Sequence, residues 1–342
     1  MKKLSIILTV VMTLLWHQSN SQILIAVHHN GVPVFYPTVD AAITNAQEGD
    51  TIYLPGGMFS LSVNISKRIH IVGAGHNPDS TTITNITQLT APINIVTGAD
   101  GGSLTGVKTC DLNFGTSASN QDIHNYTISR CWIGSCDLGY SESTTSDNNY
   151  IIENILFDLN GAYAQNNIFL NNVIGWAKKF YNDTFKNNIF LGGINYCGLF
   201  SPSSEIVKLA SYSIFENNIF NSCGGQPQIF SSNIMNNIFD GPFDPDYTNN
   251  CANNIKNQSL SSIFVNESSF YFNYSHDYHL KSTCPGVNAG KDGTDIGIYG
   301  GRSPWKPGSV PFNPHFQTFI VGSTTDSTGN LDVNIKVSAQ DR

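Results

Sequence analysis

Lys178, Lys179 and Lys186 lie close together in the chain, with Asp183 between them. Removing the proton α to a uronate carboxylate requires a base, and a cation such as Ca²⁺ must neutralise that carboxylate. These residues are therefore the candidates for polysaccharide lyase chemistry, although lysines on a loop of an acidic protein are commonly just a solvated surface. Glycoside hydrolysis needs carboxylates facing one groove. Asp244 and Asp246 are a close pair, but Pro242 and Pro245 beside them mark a surface turn. Trp132, Tyr140, Trp176, Tyr181 and Tyr196 could stack on sugar rings.

Other polar groups read more simply as structure. His276 and His279 flank Asp277, and a capping turn is the expectation there. Asp292 and Asp295 lack the alternating ligands of a calcium loop. His28 and His29 precede Asn30-Gly31, a hairpin-turn signal. The seven cysteines include the pair Cys131 and Cys136, whose spacing fits a zinc site only loosely, so buried thiols or a local disulfide are expected. No metal site is assigned, and no cofactor is expected unless a lyase needs Ca²⁺. Gly73 and Gly75 do not make a dinucleotide fingerprint, because Pro78 stands where a helix would begin.

These residues belong to a chain of 342, with 17 Lys+Arg against 25 Asp+Glu and only 12% charged residues. Asn makes up about one residue in nine, so the surface is rich in neutral hydrogen-bonding groups. Nucleic-acid binding, which draws on clustered Lys and Arg, is not expected. At the start, Lys2 and Lys3 precede an apolar run from Leu4 to Leu15 and a polar exit to Gln22, the pattern of a cleavable export signal ending at Ser21. The apolar run is too short to span a bilayer, and no membrane span is expected elsewhere. Export places the protein outside the cell, on its surface or in the periplasm.

The motif Asn-Asn-Ile recurs with its second Asn at Asn167, Asn188, Asn218, Asn237 and Asn254, and Phe follows in the first four copies. The spacings are 21, 30, 19 and 17 residues. A variable period near twenty fits one turn of a solenoid in which each coil packs only on its neighbours. Between the repeats, Ile, Phe, Tyr, Thr and Ser dominate, which is strand and turn composition. Asn tolerates the left-handed region at a sharp bend, and stacked Asn side chains can bond amide to amide as a structural ladder. Stacked carboxylates would repel.

The chain resembles the right-handed parallel β-helix proteins of the pectin-lyase-like superfamily, in the form common among secreted proteins of Bacteroidota. The resemblance rests on Tyr36 to Ile43, Glu48 to Gly57 and Ile69 to Gly75 at one end. At the other it rests on Tyr278 to Leu280, Cys284 to Gly290 and Thr294 to Gly301, which are similar to the family's final coil. It implies an all-β fold: a right-handed single-stranded parallel β-helix with a short N-terminal capping helix and a C-terminal β-tail. The organisation expected is a signal peptide over 1–21, the β-helix over 22–305 and the tail over 306–342. The superfamily spans lyases, hydrolases, epimerases, adhesins and proteins without an assigned reaction. Because contiguous catalytic strings are missing, the expected function is non-catalytic binding of carbohydrate or another extracellular surface. Polysaccharide lyase or glycoside hydrolase activity, and a structural or assembly role, are the alternatives.

Overall fold

The computed structural model describes residues 24–116, 122–139, 146–162, 164–192, 207–221, 227–267, 269 and 272–339. The segment 1–21 expected to be an export signal, and Tyr140, Tyr196, Cys197 and Cys223, lie outside these residues. The chain winds as a parallel β-solenoid. One long sheet runs through ten successive parallel strands from Thr51–Tyr53 to Asn250–Ala252, and a second carries the return strands from Gly57–Phe59 to Ile238–Phe239. Alternation of inward and outward side chains buries one face of each sheet against the other.

The N-terminal end is closed by local chemistry. Asn30 and Gly31 take positive φ and turn the hairpin Ile25–His29 and Val32–Tyr36, which pairs antiparallel with Thr51–Tyr53 and covers that edge. Helix α1 (Val39–Asn45) starts where Thr38 Oγ1 accepts the Ala41 amide at 3.1 Å. Lys67 donates to the carbonyls of Thr44 and Ala46 at the end of α1, and Val39, Ala42 and Ile43 join the core.

Two bends per coil hold the sheets in register, and the paired asparagines divide the work there. The first residue of each pair takes positive φ: Asn171, Asn187, Asn217 and Asn236 at one bend, Asn148 and Asn166 at the other. The second residue points into the coil. Before the second-sheet strands, Nδ2 of Asn154, Asn172, Asn188, Asn218 and Asn237 each donates to Oδ1 of the next, ending at Asn254, at 3.0–3.1 Å. The same Oδ1 atoms accept backbone amides of the preceding coil, as in Asn188 N to Asn218 Oδ1 at 2.9 Å. The second Nδ2 hydrogen of each of the five donors goes to a backbone carbonyl, so these buried amides use both hydrogens and the oxygen.

Asn167 is not in that file. It stands at the other bend, between Asn149 and Asp183, in a column that continues through Ser213 and Ser232 to Asn249. The spacing of 21 from Asn167 to Asn188 therefore crosses from one bend to the other. Asn172 to Asn188 is one coil, 16 residues. The phenylalanines divide in the same way. Phe169, Phe185 and Phe215 stack behind the first sheet, with centroids 4.4 and 4.9 Å apart, and Phe190, Phe220 and Phe239 stack behind the second at 4.6 and 4.7 Å.

Residues 284–312 do not form the final coil that the resemblance implies. They run back along the outside of the second-sheet bend, where the positive-φ asparagines hold them. Asn236 Nδ2 donates to Ala289 O at 3.0 Å, Asn187 Nδ2 to Gly297 O at 3.2 Å, and Asn171 Nδ2 to Ile298 O at 2.8 Å. Farther along, buried Arg130 pairs with Glu153 at 2.6 Å and donates to Val310 O at 2.5 Å. A Cβ at Gly300 would lie 1.8 Å from Asp295 O and 2.6 Å from Asn187 Nδ2, so only glycine lets the strap approach this closely. The reason for the strap is apolar. Ile155, Val173, Ile189, Ile219 and Ile238 form an outward column, and Ile296, Ile298 and Trp305 of the strap bury it in a second core. Beyond the strap, His315–Thr325 and Leu331–Ser338 form the C-terminal antiparallel hairpin.

Cys131 and Cys136 are buried and unpaired, and burial pushes the Cys131 thiol up to about 12. Among the described residues no group of three or more His, Cys, Asp or Glu is arranged to hold a metal ion. No helix among them is long and apolar enough to cross a membrane.

Candidate functional site

The strap covers only the start of each second-sheet strand. Farther along, no described residue outside the coils packs on the outward positions of Lys108–Phe114, Trp132–Asp137, Ile155–Asn160 and Val173–Tyr181, most of which are half-buried. Parallel register stacks identical strand positions about 4.8 Å apart, so side chains on one offset form a file. One file is Asp111, Ser135, Asp158 and Trp176, and the next is Asn113, Asp137, Asn160 and Lys178.

These files are knitted by polar bonds. Asn113 Nδ2 donates to Asn94 Oδ1 at 3.2 Å, Asn160 Nδ2 to Asp137 Oδ1 at 2.8 Å, and Lys178 Nζ to Asp158 Oδ2 at 2.8 Å. Asn94, Asn113, Asp137 and Asn160 line a concavity of about 410 Å³ with Phe114 and Gly139. Burial raises the Asp137 carboxyl above its ordinary range, and Asp158 and Asp111 add to that shift. The Asn160 hydrogen bond and Lys178 oppose it. Burial raises Asp111 as well. The arrangement brings amide donors and acceptors, carboxylates and the half-buried Trp176 indole, whose Nε1 is enclosed, onto one strip.

A larger cleft of about 770 Å³ lies near the N-terminal end, between Leu24, Tyr53, Val72, Pro311 and Phe316. Its lining is largely apolar side chain and backbone, so it offers little chemistry.

The residues singled out from sequence scatter. Trp176 and Lys178 stand on the open strip. Trp132 is at its edge, with its ring 4.5 Å from that of Phe157 and under Lys108 Nζ, and it packs with the strap cluster. Tyr181 is exposed at the bend against Tyr212, ring centroids 5.2 Å apart. Lys179 adjoins Lys178 but takes positive φ, as the strand curves away. Lys186 is on the first sheet and pairs with Glu216 at 3.1 Å.

Asp183 is not part of a basic cluster. It is buried in the bend column, where Oδ1 accepts both nitrogens of Asn167 at 2.8 and 3.2 Å and Oδ2 accepts the Tyr181 amide at 3.1 Å. Burial pushes its carboxyl up to about 7. Asp246 closes an exposed turn by accepting the Thr248 hydroxyl at 2.5 Å and its amide at 2.9 Å, which lower its pKa, and exposed Asp244 lies in the same loop. His276 contacts buried Glu267, and Asp277 accepts the His279 amide at 3.0 Å. Asp292 and Asp295 close turns of the strap through the Thr294 and Asn288 amides.

Sequence reasoning missed Asp111, Asp137, Asp158, Asn113 and Asn160. Each is flanked by apolar residues or glycine, and none adjoins another carboxylate. Aligning the strands on Cys131, Asn154 and Asn172 would have found them, because Ser135, Asp158 and Trp176 share one offset and Asp137, Asn160 and Lys178 another. No family model matches the chain, and no curated protein matches it.

Proposed function

We propose that this is an exported β-helix protein of the pectin-lyase-like type that binds carbohydrate, without turnover, along the open strip of the second sheet. The observation that carries the reading is the alignment of Asn113, Asp137, Asn160 and Lys178 in one file beside Asp158 and Trp176. Sugars are recognised by planar amides and carboxylates that bond hydroxyls, and by an aromatic ring against the sugar's apolar face. The carboxylates and the net charge of −8 favour neutral glycans over uronates.

Titration calorimetry against a panel of neutral and uronate-containing polysaccharides tests this. Binding of a neutral glycan that Trp176→Ala weakens by about tenfold or more supports it. No binding across the panel, or binding indifferent to both Trp176→Ala and Asp137→Asn, refutes it.

One observation favours hydrolysis as a second reading. Asp137 and Asp158 are one rung and two residues apart, so their Cα atoms lie about 8 Å from each other, and carboxyl groups at a similar separation leave room for an attacking water in an inverting glycosidase. Asp137, with its raised pKa, would be the acid, and Asp158 would be the base once substrate draws it from its ion pair with Lys178. New reducing ends that disappear in Asp137→Asn would establish that reading in place of the first. The lyase reading is weaker, because Lys178 is engaged with Asp158 and Asp183 is elsewhere.

A further inference from the structure

The C-terminal hairpin is amphipathic, and among the described residues its strands pair only with each other. Phe316 lies opposite Val337, Phe319 opposite Ile335 and Val321 opposite Val333, all on one face and each 42–51% exposed. Asp332, Asn334 and Lys336 point to the other face, where Thr318 lies opposite Lys336 and Ile320 opposite Asn334. A two-stranded hairpin is marginal alone, and proteins guard exposed edges with prolines, bulges, very short strands or charges, of which Leu331–Ser338 has only Asp332 and Lys336, opposite in sign. Leu331–Ser338 is eight residues long and contains neither Pro nor Gly.

We infer that Leu331–Ser338 is a dimerisation edge that pairs antiparallel with the same strand of a second copy of this chain, centred on Asn334. The strand is self-complementary about that residue. In Leu331-Asp-Val-Asn-Ile-Lys-Val337 the centring sets Asp332 opposite Lys336 of the partner subunit, and the two-fold repeats the pair. It also sets Leu331 opposite Val337 of the partner subunit and Val333 opposite Ile335 of the partner subunit. A shift of one residue would set apolar against polar positions, and a shift of two would leave the charges unpaired. Pairing extends each hairpin into a four-stranded sheet with both apolar faces on one side.

Sedimentation of the full chain across concentrations up to about 100 µM at low salt tests the inference. The native chain should dimerise. Asp332→Lys and Lys336→Asp, each alone, put two like-charge pairs in the interface and should weaken the dimer by about tenfold. Mixed in equal amounts, the two variants should associate with each other, since every cross pair is then of opposite charge. That outcome also shows that both variants are folded. A native chain that stays monomeric, single variants that dimerise as well as the native chain, or a mixture that fails to pair would each overturn the inference. Association that ignores the charge changes but is lost in Ile335→Thr would indicate face-to-face packing and reject the edge register.

Discussion

Replacing Asp183 with Asn should flatten the dependence of stability on pH. Asp183 is the one carboxylate in a bend column otherwise built of Asn and Ser, and both its oxygens accept hydrogen bonds inside the solenoid. Its pKa in the folded chain, about 7, lies above its ordinary value of 3.8. The folded state therefore holds the proton more tightly than the unfolded one. The stability this contributes is complete below about pH 4 and is lost as pH rises to 7. Integrated between pH 5 and pH 8, the loss is about 2.5 kcal/mol. The Asn variant does not titrate, and it gives up the Tyr181 amide bond at a cost of about 1 kcal/mol that does not vary with pH. Urea unfolding of both chains at pH 5, 6, 7 and 8, with equal m-values, measures the difference. The difference should move in the variant's favour by about 2.5 kcal/mol from the acid to the alkaline end. Parallel pH profiles for the two chains would refute the assignment of a buried, titrating Asp183.

Other substitutions test the frame. Asn218→Ala removes the side-chain acceptor of the Asn188 amide and carboxamide and the side-chain donor to the Phe185 carbonyl and Asn237 Oδ1, and should cost about 3 kcal/mol or more in urea unfolding. Phe215→Ala opens a cavity against Phe185 and Phe220 and should cost about 3–5 kcal/mol by the same measurement. Glu153→Gln strands the Arg130 charge beneath the strap and should cost about 3–5 kcal/mol, with faster hydrogen exchange over residues 297–310.

The solenoid was legible because its signals are local and repeated. Asn-Asn-Ile-Phe carries a left-handed bend, a buried amide and an aromatic core residue in consecutive positions, so composition and period alone point to stacked coils. The N-terminal hairpin was equally local, in Asn30-Gly31. The motif did not reveal which bend it served. Both bends need a left-handed residue followed by a buried polar one, so Asn167 and Asn188 look alike although they stand in different columns. The strap was hidden for another reason. Its partners, Asn171, Asn187 and Asn236, are distant in sequence, and its apolar contacts look like an ordinary final coil. The open strip was the least visible, since its carboxylates and amides converge only through register between successive coils, at spacings of 18 to 24 residues.

Hydrogen–deuterium exchange with a bound neutral glycan tests the central claim most directly. Calorimetry first identifies the ligand, and exchange of the backbone amides is then compared with and without it. The account predicts slowed exchange in Lys108–Phe114, Trp132–Asp137, Ile155–Asn160 and Val173–Tyr181, and none in the first sheet. Protection confined to the first sheet, to the cleft around Tyr53 and Pro311, or to the C-terminal hairpin would contradict it.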